Sequence, residues 1–185
     1  HDALPIWSTF RHSGGGVTLS GGDPLMQPDF AGELLKACKA QGWNTAIETE
    51  GCAETETYLR LVPYIDTILM DIKHMDPEKH RLFTGVSNEL ILNNARRVSA
   101  FAPLTIRVPV IPKFNESEEE IRAIAEFAAS LGKVRYVHLL PYHSLGENKY
   151  RMMGIEYKMN RLSAKSLSNK ELEKYRPIVE QAGVS

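Results

Sequence analysis

The sequence is poor in cysteine, with only Cys38 and Cys52 among its 185 residues. Two cysteines exclude a framework of several disulfides, and they exclude any complete metal site of four cysteines. Cys38 falls on the apolar face of a predicted helix and Cys52 follows a glycine, so both are most simply interpreted as buried thiols. With no signal peptide recognisable, we expect a reducing, cytoplasmic environment.

Neither sign of charge dominates, because 22 lysines and arginines face 23 aspartates and glutamates and leave a net charge of −1. This balance provides no electrostatic attraction for nucleic acid or for an anionic membrane surface. No apolar run approaches the roughly 18 residues that a membrane span needs. We therefore predict one globular domain of ordinary composition that binds neither nucleic acid nor membrane.

The chain begins with His1 rather than Met, and no helix cap or periodic pattern opens it. Its first six residues, HDALPI, read as the in-frame translation of a common sequencing adapter. We hypothesise that residues 1–6 are not native and that the gene continues upstream. Residues 1–12 are interpreted as a non-native or linker segment, and residues 13–185 as the domain. Native coding sequence across the first codons of the locus would refute the hypothesis.

Short apolar, β-branched runs alternate with helical patterns along the domain, which is typical of βα units around a parallel sheet. Strands are predicted at residues 17–20, 44–48, 67–71, 105–111 and 134–140. Helices are predicted at residues 29–41, 54–62, 88–101, 117–131 and 169–181, with a short one from residue 77. The fold class is therefore α/β, either an open doubly wound sheet or part of a (β/α) barrel. In both architectures ligands bind at the carboxyl ends of the strands.

Several side-chain positions away from the strand ends follow from the same patterns. The first predicted helix presents one apolar face, formed by Phe30, Leu34, Leu35 and Cys38. Ser117 and Glu120 have the spacing of a capping box at the start of a later helix. Among the histidines, we interpret His138 as a packing residue inside its strand, and His74 and His80 as surface residues.

Polar residues suited to ligand binding follow the first two predicted strands. Gly21 and Gly22 let a ligand approach the backbone closely, and the carboxylate of Asp23 can hold an ammonium group. Glu48 and Glu50 stand at the end of the second strand, and two carboxylates there suit a cation or an amine. A tight turn at the glycines and a solvated carboxylate at Glu48 are the structural alternatives.

The third, fourth and fifth strands carry further polar residues. Strand alternation places Asp71 and Lys73 on one face, and Arg107 interrupts an otherwise apolar run. His143 follows the fifth strand and can donate to a hydroxyl group. A structural salt bridge, an outward-facing arginine and a structural histidine remain the alternatives. Taken together, the strand ends predict one pocket for a polar, zwitterionic ligand that carries an amine, a carboxylate and hydroxyl groups.

The domain resembles the activating enzymes of glycyl radical enzymes, which are radical S-adenosylmethionine (SAM) proteins similar to the pyruvate formate-lyase activator. The resemblance runs from Ser13 to nearly the end of the chain. It is carried, in the same order and at similar spacing, by SGGGVTLSGGDPL, ETEG, DIKHMDPEKHRLFTGVSNELIL, IRVPVIPKFNES and LLPYHSLGENKYRMMG. It implies a partial, six-unit (β/α) barrel that holds a [4Fe–4S] cluster and SAM. It also implies that a 5′-deoxyadenosyl radical abstracts hydrogen from a backbone glycine of a partner enzyme.

The resemblance further implies SAM-binding roles for the strand-end residues. Asp23, after two glycines, matches a Gly-Gly-Glu segment that binds the methionine amine, and Glu48 matches an acidic position beside that amine. Lys73 matches a lysine that approaches the methionine carboxylate. The other matching positions of the same pocket are Gly21, Gly22, Asp71, Arg107 and, near the ribose, His143. Two residues depart from the pattern, because Asp23 stands where the family usually has Glu, and Glu48 where the pyruvate formate-lyase activator has Asp.

The family's cluster-binding triplet, C-x3-C-x2-C, has no counterpart in this sequence. We therefore expect a C-terminal portion of an activating enzyme that by itself binds no cluster and is inactive. The strand at Val17 would then have an unpaired edge, through which we expect self-association. Two alternatives stay open. One is a non-radical (β/α) barrel lyase or isomerase acting on a small anionic substrate, and the other is a non-catalytic docking module.

Overall fold

The computed structural model describes residues 13–143, 151–154 and 165–185. In these ranges five strands form one parallel sheet in the order β1-β2-β3-β4-β5. The strands are β1 (Gly16–Leu19), β2 (Asn44–Thr49), β3 (Thr67–Asp71), β4 (Leu104–Val110) and β5 (Val134–Pro141). Each predicted strand is present, with its ends shifted by no more than one residue. The predicted segment of residues 1–12 lies outside the described residues.

Helices connect successive strands. The α-helices are α1 (Pro28–Ala40), α2 (Thr55–Leu61), α3 (Pro77–Thr84), α4 (Glu89–Val98), α5 (Glu118–Ala129), α6 (Asn169–Leu172) and α7 (Arg176–Gln181). Short 3-10 helices cover Pro24–Met26, Val62–Tyr64 and Glu173–Tyr175. None of the helices in the described ranges has both the length and the hydropathy to cross a bilayer.

The order of the strands distinguishes the two predicted architectures. Each strand pairs with the next one along the chain, so the order never reverses. A doubly wound sheet requires a reversal that sends helices to both faces, whereas a (β/α) barrel keeps them on one side. The partial barrel is therefore confirmed, as an open five-stranded sheet in the described residues.

The two faces of the sheet differ in polarity. One face packs against the helices and buries residues such as Ile47, Ile68 and Ile106, which belong to a single apolar core. Because strand alternation sends neighbouring side chains to opposite faces, Glu48 and Arg107 point the other way. We call this second face, which carries Glu48, Asp71 and Arg107, the inner face.

The first helix buries a narrower stripe than the sequence suggested. Pro28 occupies the first turn of α1, where its missing N–H costs nothing. The buried positions are Ala31, Leu35 and Cys38, at the i, i+4 and i+7 spacing of one helical face. The prediction for Phe30 is wrong, because its side chain is 68% exposed. Phe30 precedes Ala31 by one residue and so lies about 100° around the helix from that stripe.

Two histidines that were predicted at the surface are buried instead. His74 is 2% exposed, and its ring lies 5.2 Å from the ring of Phe114. His80 is 3% exposed, and its Nδ1 lies 2.8 Å from the Val86 carbonyl oxygen. Burial lowers the pKa of both imidazoles, since it disfavours their charged forms.

The predicted capping box at α5 is formed in part. The Ser117 hydroxyl accepts a hydrogen bond from the Glu120 N–H at 3.2 Å, as the spacing predicts. The Glu120 carboxylate accepts from the Met75 N–H, on the segment that follows β3, and approaches His74 Nδ1 at 3.1 Å. It therefore joins two elements of the fold, which no local spacing could indicate.

Candidate functional site

Strand register brings polar side chains together on the inner face, near the carboxyl edge of the sheet. Asp71 on β3 pairs in register with Arg107 on β4, and Arg107 pairs with His138 on β5. Glu48 on β2 lies one step closer to the amino ends, because its register partner on β3 is Leu69. The expected convergence of Glu48, Asp71 and Arg107 is therefore present, and each comes from a different strand.

Arg107 lies at the centre of this group. Its Nη1 lies 2.9 Å from Glu48 Oε1, and its Nε lies 3.3 Å from Asp71 Oδ1. Although it faces Asp71, the buried Nε–H has no hydrogen-bond partner among the described residues. The two ion pairs show that the side chain points to the inner face, so the alternative of an outward-facing arginine is wrong. Because 21% of the side chain is exposed, the guanidinium can also meet a further anionic or carbonyl group.

Glu48 is also fixed from the first strand. The hydroxyl of Ser20, directly after β1, donates to Glu48 Oε2 at 2.6 Å. This hydrogen bond, and then the guanidinium of Arg107, lowers the pKa of Glu48, so the residue is ionised at neutral pH. Its carboxylate is thereby held in one orientation between two donors.

Lys73 continues the inner face beyond the end of β3. Its Nζ donates to Glu50 Oε1 at 2.6 Å and lies 4.0 Å from Asp71 Oδ2. The side chain of Lys73 is 20% exposed, whereas that of Glu50 is 64% exposed. Since Glu50 is largely in water, it can release the ammonium group to a ligand carboxylate at small cost. The same-face prediction for Asp71 and Lys73 agrees with these distances.

Asp23 joins the ends of β1 and β2. Its Oδ1 accepts from the Leu25 N–H at 2.9 Å and thereby caps the 3-10 helix Pro24–Met26. Its Oδ2 accepts from the Thr49 hydroxyl and from the Glu50 N–H, both at 2.8 Å. Three hydrogen bonds engage most of the lone pairs of this carboxylate, which therefore acts first as a structural link beside the site.

The remaining predicted residues lie at the rim. Gly21 has a φ of +106°, a backbone conformation that residues other than glycine rarely adopt. An added Cβ at Gly21 or Gly22 would meet no atom within 4 Å, so this backbone is open to an approaching group. His143 follows β5 and is exposed. Within the described residues, no hydrogen bond or ion pair joins it to Asp71 or Lys73, so the structure does not bring it into the group.

The site carries an excess of negative charge. Four carboxylates belong to it, those of Asp23, Glu48, Glu50 and Asp71, but only two cations, Lys73 and Arg107. The excess is two negative charges when all are ionised. Burial raises the pKa of Asp71 against the opposing pull of Lys73 and Arg107. Such a site favours a ligand with net positive charge that also offers a carboxylate to the cations.

The pairing of Glu50 and the exposure of His138 were not predicted from the sequence. Glu50, noted with Glu48 as a carboxylate at the end of the second strand, pairs with Lys73. His138 was interpreted as a packing residue but is exposed on the inner face, where its ring stacks on Tyr136 at 5.7 Å. Strand alternation around the buried Val137 could have indicated the position of His138.

The cysteines do not form a cluster site. Cys38 is buried on the core side of α1, whereas Cys52 is exposed, so the prediction of a buried thiol holds for Cys38 and is wrong for Cys52. In the described ranges, no group of three or more histidine, cysteine, aspartate or glutamate side chains could hold a metal ion. The two cysteines of the sequence are too few to supply the three thiolates of a [4Fe–4S] cluster.

Comparison with known proteins identifies relatives of the chain. A profile of the Radical SAM superfamily matches residues 8–140. The chain is 41% identical over 172 residues to an indoleacetate decarboxylase activating enzyme of Tractidigestivibacter scatoligenes, which covers 92% of this chain and 54% of that protein. It is 42% identical over 169 residues to a choline trimethylamine-lyase activating enzyme of Oleidesulfovibrio alaskensis, covering 89% and 54%.

A solved structure agrees with these sequence relatives. A domain of a pyruvate-formate lyase-activating enzyme from Bacteroides vulgatus superimposes with a TM-score of 0.75 and 35% identity, covering 92% of this chain and 96% of that domain. The chain spans about half the length of the curated relatives that it matches. The chain belongs to the radical SAM superfamily, and the three relatives described above are activating enzymes or a domain of one.

Proposed function

We propose that the protein to which this chain contributes is a cytoplasmic activating enzyme that generates a glycyl radical on a partner enzyme, and that this chain supplies its SAM-binding pocket. The observation that carries the proposal is the convergence of Glu48, Asp71, Lys73 and Arg107 on the inner face. Membership of the radical SAM superfamily and the activating-enzyme relatives support it.

The charges of the site match those of SAM. At neutral pH SAM carries an ammonium, a sulfonium and a carboxylate, hence one net positive charge. The carboxylate excess around Glu48 and Asp71 favours the two positive groups, while the ammonium group of Lys73 can bind the carboxylate. A small anionic substrate, as for a non-radical lyase, would instead meet net repulsion.

The pocket that we propose includes every residue expected from the sequence. Its members are Gly21, Gly22, Asp23, Glu48, Asp71, Lys73, Arg107 and His143. The open backbone at the two glycines receives the amine end of the ligand, with Asp23 fixing that turn against β2. His143 stands at the rim on the side of β5, where it would meet the nucleoside.

This chain binds and orients SAM, and other parts of the protein hold the cluster. Once bound and reduced by one electron from the cluster, SAM would lose methionine by cleavage of its C5′–S bond and supply the 5′-deoxyadenosyl radical that removes a hydrogen atom from the partner's glycine. The cluster requires three cysteines, which lie outside this sequence, so the isolated chain is inactive and forms no cluster on reconstitution. An upstream reading frame without a C-x3-C-x2-C triplet would contradict the proposal.

Calorimetric titration of SAM into the chain tests the pocket. Asp71→Ala and Lys73→Ala should each weaken binding roughly tenfold, the effect of one hydrogen bond to a charged group. Lys36→Ala on the exposed side of α1 is the matched control and should bind as the wild type does. Absence of SAM binding, or equal binding by all variants, would overturn the proposal in favour of another barrel enzyme or a docking module.

A further inference from the structure

Three buried asparagines lie behind the carboxyl edge of the sheet. Asn88, Asn94 and Asn115 are each no more than 1% exposed. The side-chain NH₂ of each donates to two backbone carbonyls, which lie in the segments after β2 and β3 except for one, that of Pro109, inside β4. A buried amide is costly unless it is hydrogen-bonded, so side chains placed in this way fix the backbone that they touch.

Asn115 acts on the segment that carries the site lysine. Its Nδ2 donates to the Lys73 carbonyl at 2.7 Å and to the Pro109 carbonyl at 2.9 Å, and its Oδ1 accepts from the Ile111 N–H at 2.7 Å. The ladder between β3 and β4 ends at Asp71. Beyond that point, the Asn115 amide connects the backbone after β3, at Lys73, to the last part of β4, at Pro109.

The turn that delivers Asn115 is strained. Hydrogen bonds from the N–H groups of Phe114 and Asn115 to the Ile111 carbonyl close it, at 3.1 and 3.2 Å. Lys113, inside the turn, has a φ of +64°, and within the described ranges it is the one residue other than glycine with positive φ. Left-handed backbone is unfavourable for lysine and persists where the surroundings impose it. The Lys113 side chain is exposed, so packing of this side chain does not account for its positive φ. The conformation is instead required by the turn of the backbone that leads to Asn115.

We infer that Asn115 is a positioning residue for Lys73. It holds the Lys73 peptide so that the ammonium group stays on the inner face, 2.6 Å from Glu50 and 4.0 Å from Asp71. The part of the inference that concerns SAM rests on the proposed function: the ammonium group is thereby presented to the ligand carboxylate. The effect of Asn115 on the placement of Lys73 does not depend on the ligand.

The first experiment measures the chemical reactivity of Lys73 in the absence of ligand. Lys73 acylation by an amine-reactive reagent is followed by mass spectrometry in the wild type, in Asn115→Asp and in Asn115→Ser. Aspartate keeps the shape but has no N–H for the two carbonyls, while serine is the milder variant should aspartate impair folding. Acylation of Lys73 should accelerate roughly threefold or more once it is released from its ion pair.

Thr45→Val is the matched control for lost stability. Thr45 is equally buried, and its hydroxyl donates to the Tyr64 carbonyl at 2.6 Å, near the opposite end of β2 from the site. Thr45→Val should leave Lys73 acylation unchanged. Equal acylation rates in the Asn115 variants and the wild type, or the same acceleration in Thr45→Val, would overturn the inference.

The second experiment separates positioning from general loosening of the pocket. SAM and decarboxylated SAM, which keeps the amine and the sulfonium but lacks the carboxylate, are titrated into each variant. Asn115→Asp and Asn115→Ser should weaken SAM binding roughly tenfold and decarboxylated SAM binding less than about threefold. Equal losses for the two ligands would refute a role toward the carboxylate. If the wild type bound neither ligand, the proposed function would fail, while the acylation result would still decide whether Asn115 positions Lys73.

Discussion

Arg107 on β4 reaches Glu48 on β2, with 2.9 Å between Nη1 and Oε1, and so spans the intervening strand β3. On its way the guanidinium passes Asp71, whose Oδ1 lies 3.3 Å from Nε. One side chain thus connects three strands at the edge where the ligand is proposed to bind. The planar fork of arginine allows this, whereas a single ammonium group could not contact both carboxylates in the same way.

Loss of this connection should reduce both stability and binding. Arg107→Met leaves the Glu48 carboxylate without its cation and Asp71 with Lys73 alone, so we expect the free energy of unfolding to fall by about 1–3 kcal/mol. Arg60→Met is the control, since the pair of Arg60 with Asp29 is largely exposed and its loss should cost less than about 1 kcal/mol. Urea denaturation measures both. Equal losses in the two variants would show that Arg107 contributes no more than a surface charge.

The two carboxylates that face Arg107 should give opposite pH dependences. Burial raises the pKa of Asp71 in the folded state, so the wild type loses stability as pH rises from the ordinary aspartate range through that raised value. Asp71→Asn removes this loss, and its stability relative to the wild type should increase over that pH window. The Asn variant should also bind SAM more weakly.

Glu48→Gln should show the reverse. The Ser20 hydroxyl and then Arg107 lower the pKa of Glu48, so its contribution is present above the ordinary glutamate range and disappears as pH falls through the lowered value. The Gln variant should therefore be less stable than the wild type at neutral pH and approach it in acid. Thermal unfolding of the wild type and of both variants between about pH 3 and pH 7, a range that includes the ordinary pKa values of carboxyl groups, measures these differences in stability. Slopes of the same sign in both would contradict the assignment.

Relief of the strained turn should stabilise the protein. Lys113→Gly permits the positive φ without steric cost, so we expect a gain of about 0.5–1 kcal/mol in the free energy of unfolding. Lys36→Gly in the middle of α1 is the control and should lose about 1 kcal/mol. A loss of similar size at both positions would mean that residue 113 is not strained.

We expect Asp23 to support SAM binding as well as to cap its 3-10 helix. Asp23→Ala removes the acceptor for the Leu25 N–H, the Thr49 hydroxyl and the Glu50 N–H, and we expect a loss of about 1–2 kcal/mol together with weaker SAM binding.

Asp76→Ala provides the comparison for a plain cap. Asp76 caps α3 by accepting from the N–H groups of Glu78 and Lys79, and it is not a residue of the proposed pocket. It should lose similar stability but retain SAM affinity. Calorimetry that finds equal affinity in both variants would limit Asp23 to a capping role.

The edge of β1 leads to the expectation of self-association. In the described residues β1 pairs with β2 alone, so its other side presents unpaired backbone groups. Light scattering should show a mass above 20.8 kDa that rises with concentration. Thr18→Lys, an exposed position on β1, should suppress the increase, while Gln41→Lys, the same charge change beyond α1, should not. A monomer at all concentrations would refute the expectation.

Local patterns were sufficient for the elements and for part of the site. Short apolar, β-branched runs followed by helical patterns predicted all five strands, because strand and helix formation depend largely on nearby residues. The two-residue period placed Asp71 and Lys73 on one face. The strand-end rule for βα folds then indicated where a ligand would bind, before any contact between strands was known.

Contacts between distant segments decided the burial and the side-chain partners that local patterns did not predict. His74 is buried because Phe114 and Glu120, more than thirty residues later, pack against it, and nothing in its neighbourhood along the chain indicates this. The position of the Glu120 carboxylate is likewise decided by a distant segment, because it accepts from the Met75 N–H instead of completing the capping box with Ser117.

By itself, then, the sequence determined an α/β chain with a polar rim and too few cysteines for a cluster. Only the tertiary structure decided that Arg107 faces inward to Glu48 and that Asn115 holds the Lys73 backbone. Both facts depend on the register of neighbouring strands and on a turn that brings a buried amide back to the sheet. Such long-range relations have no counterpart in local spacing, because they arise only when the strands pair.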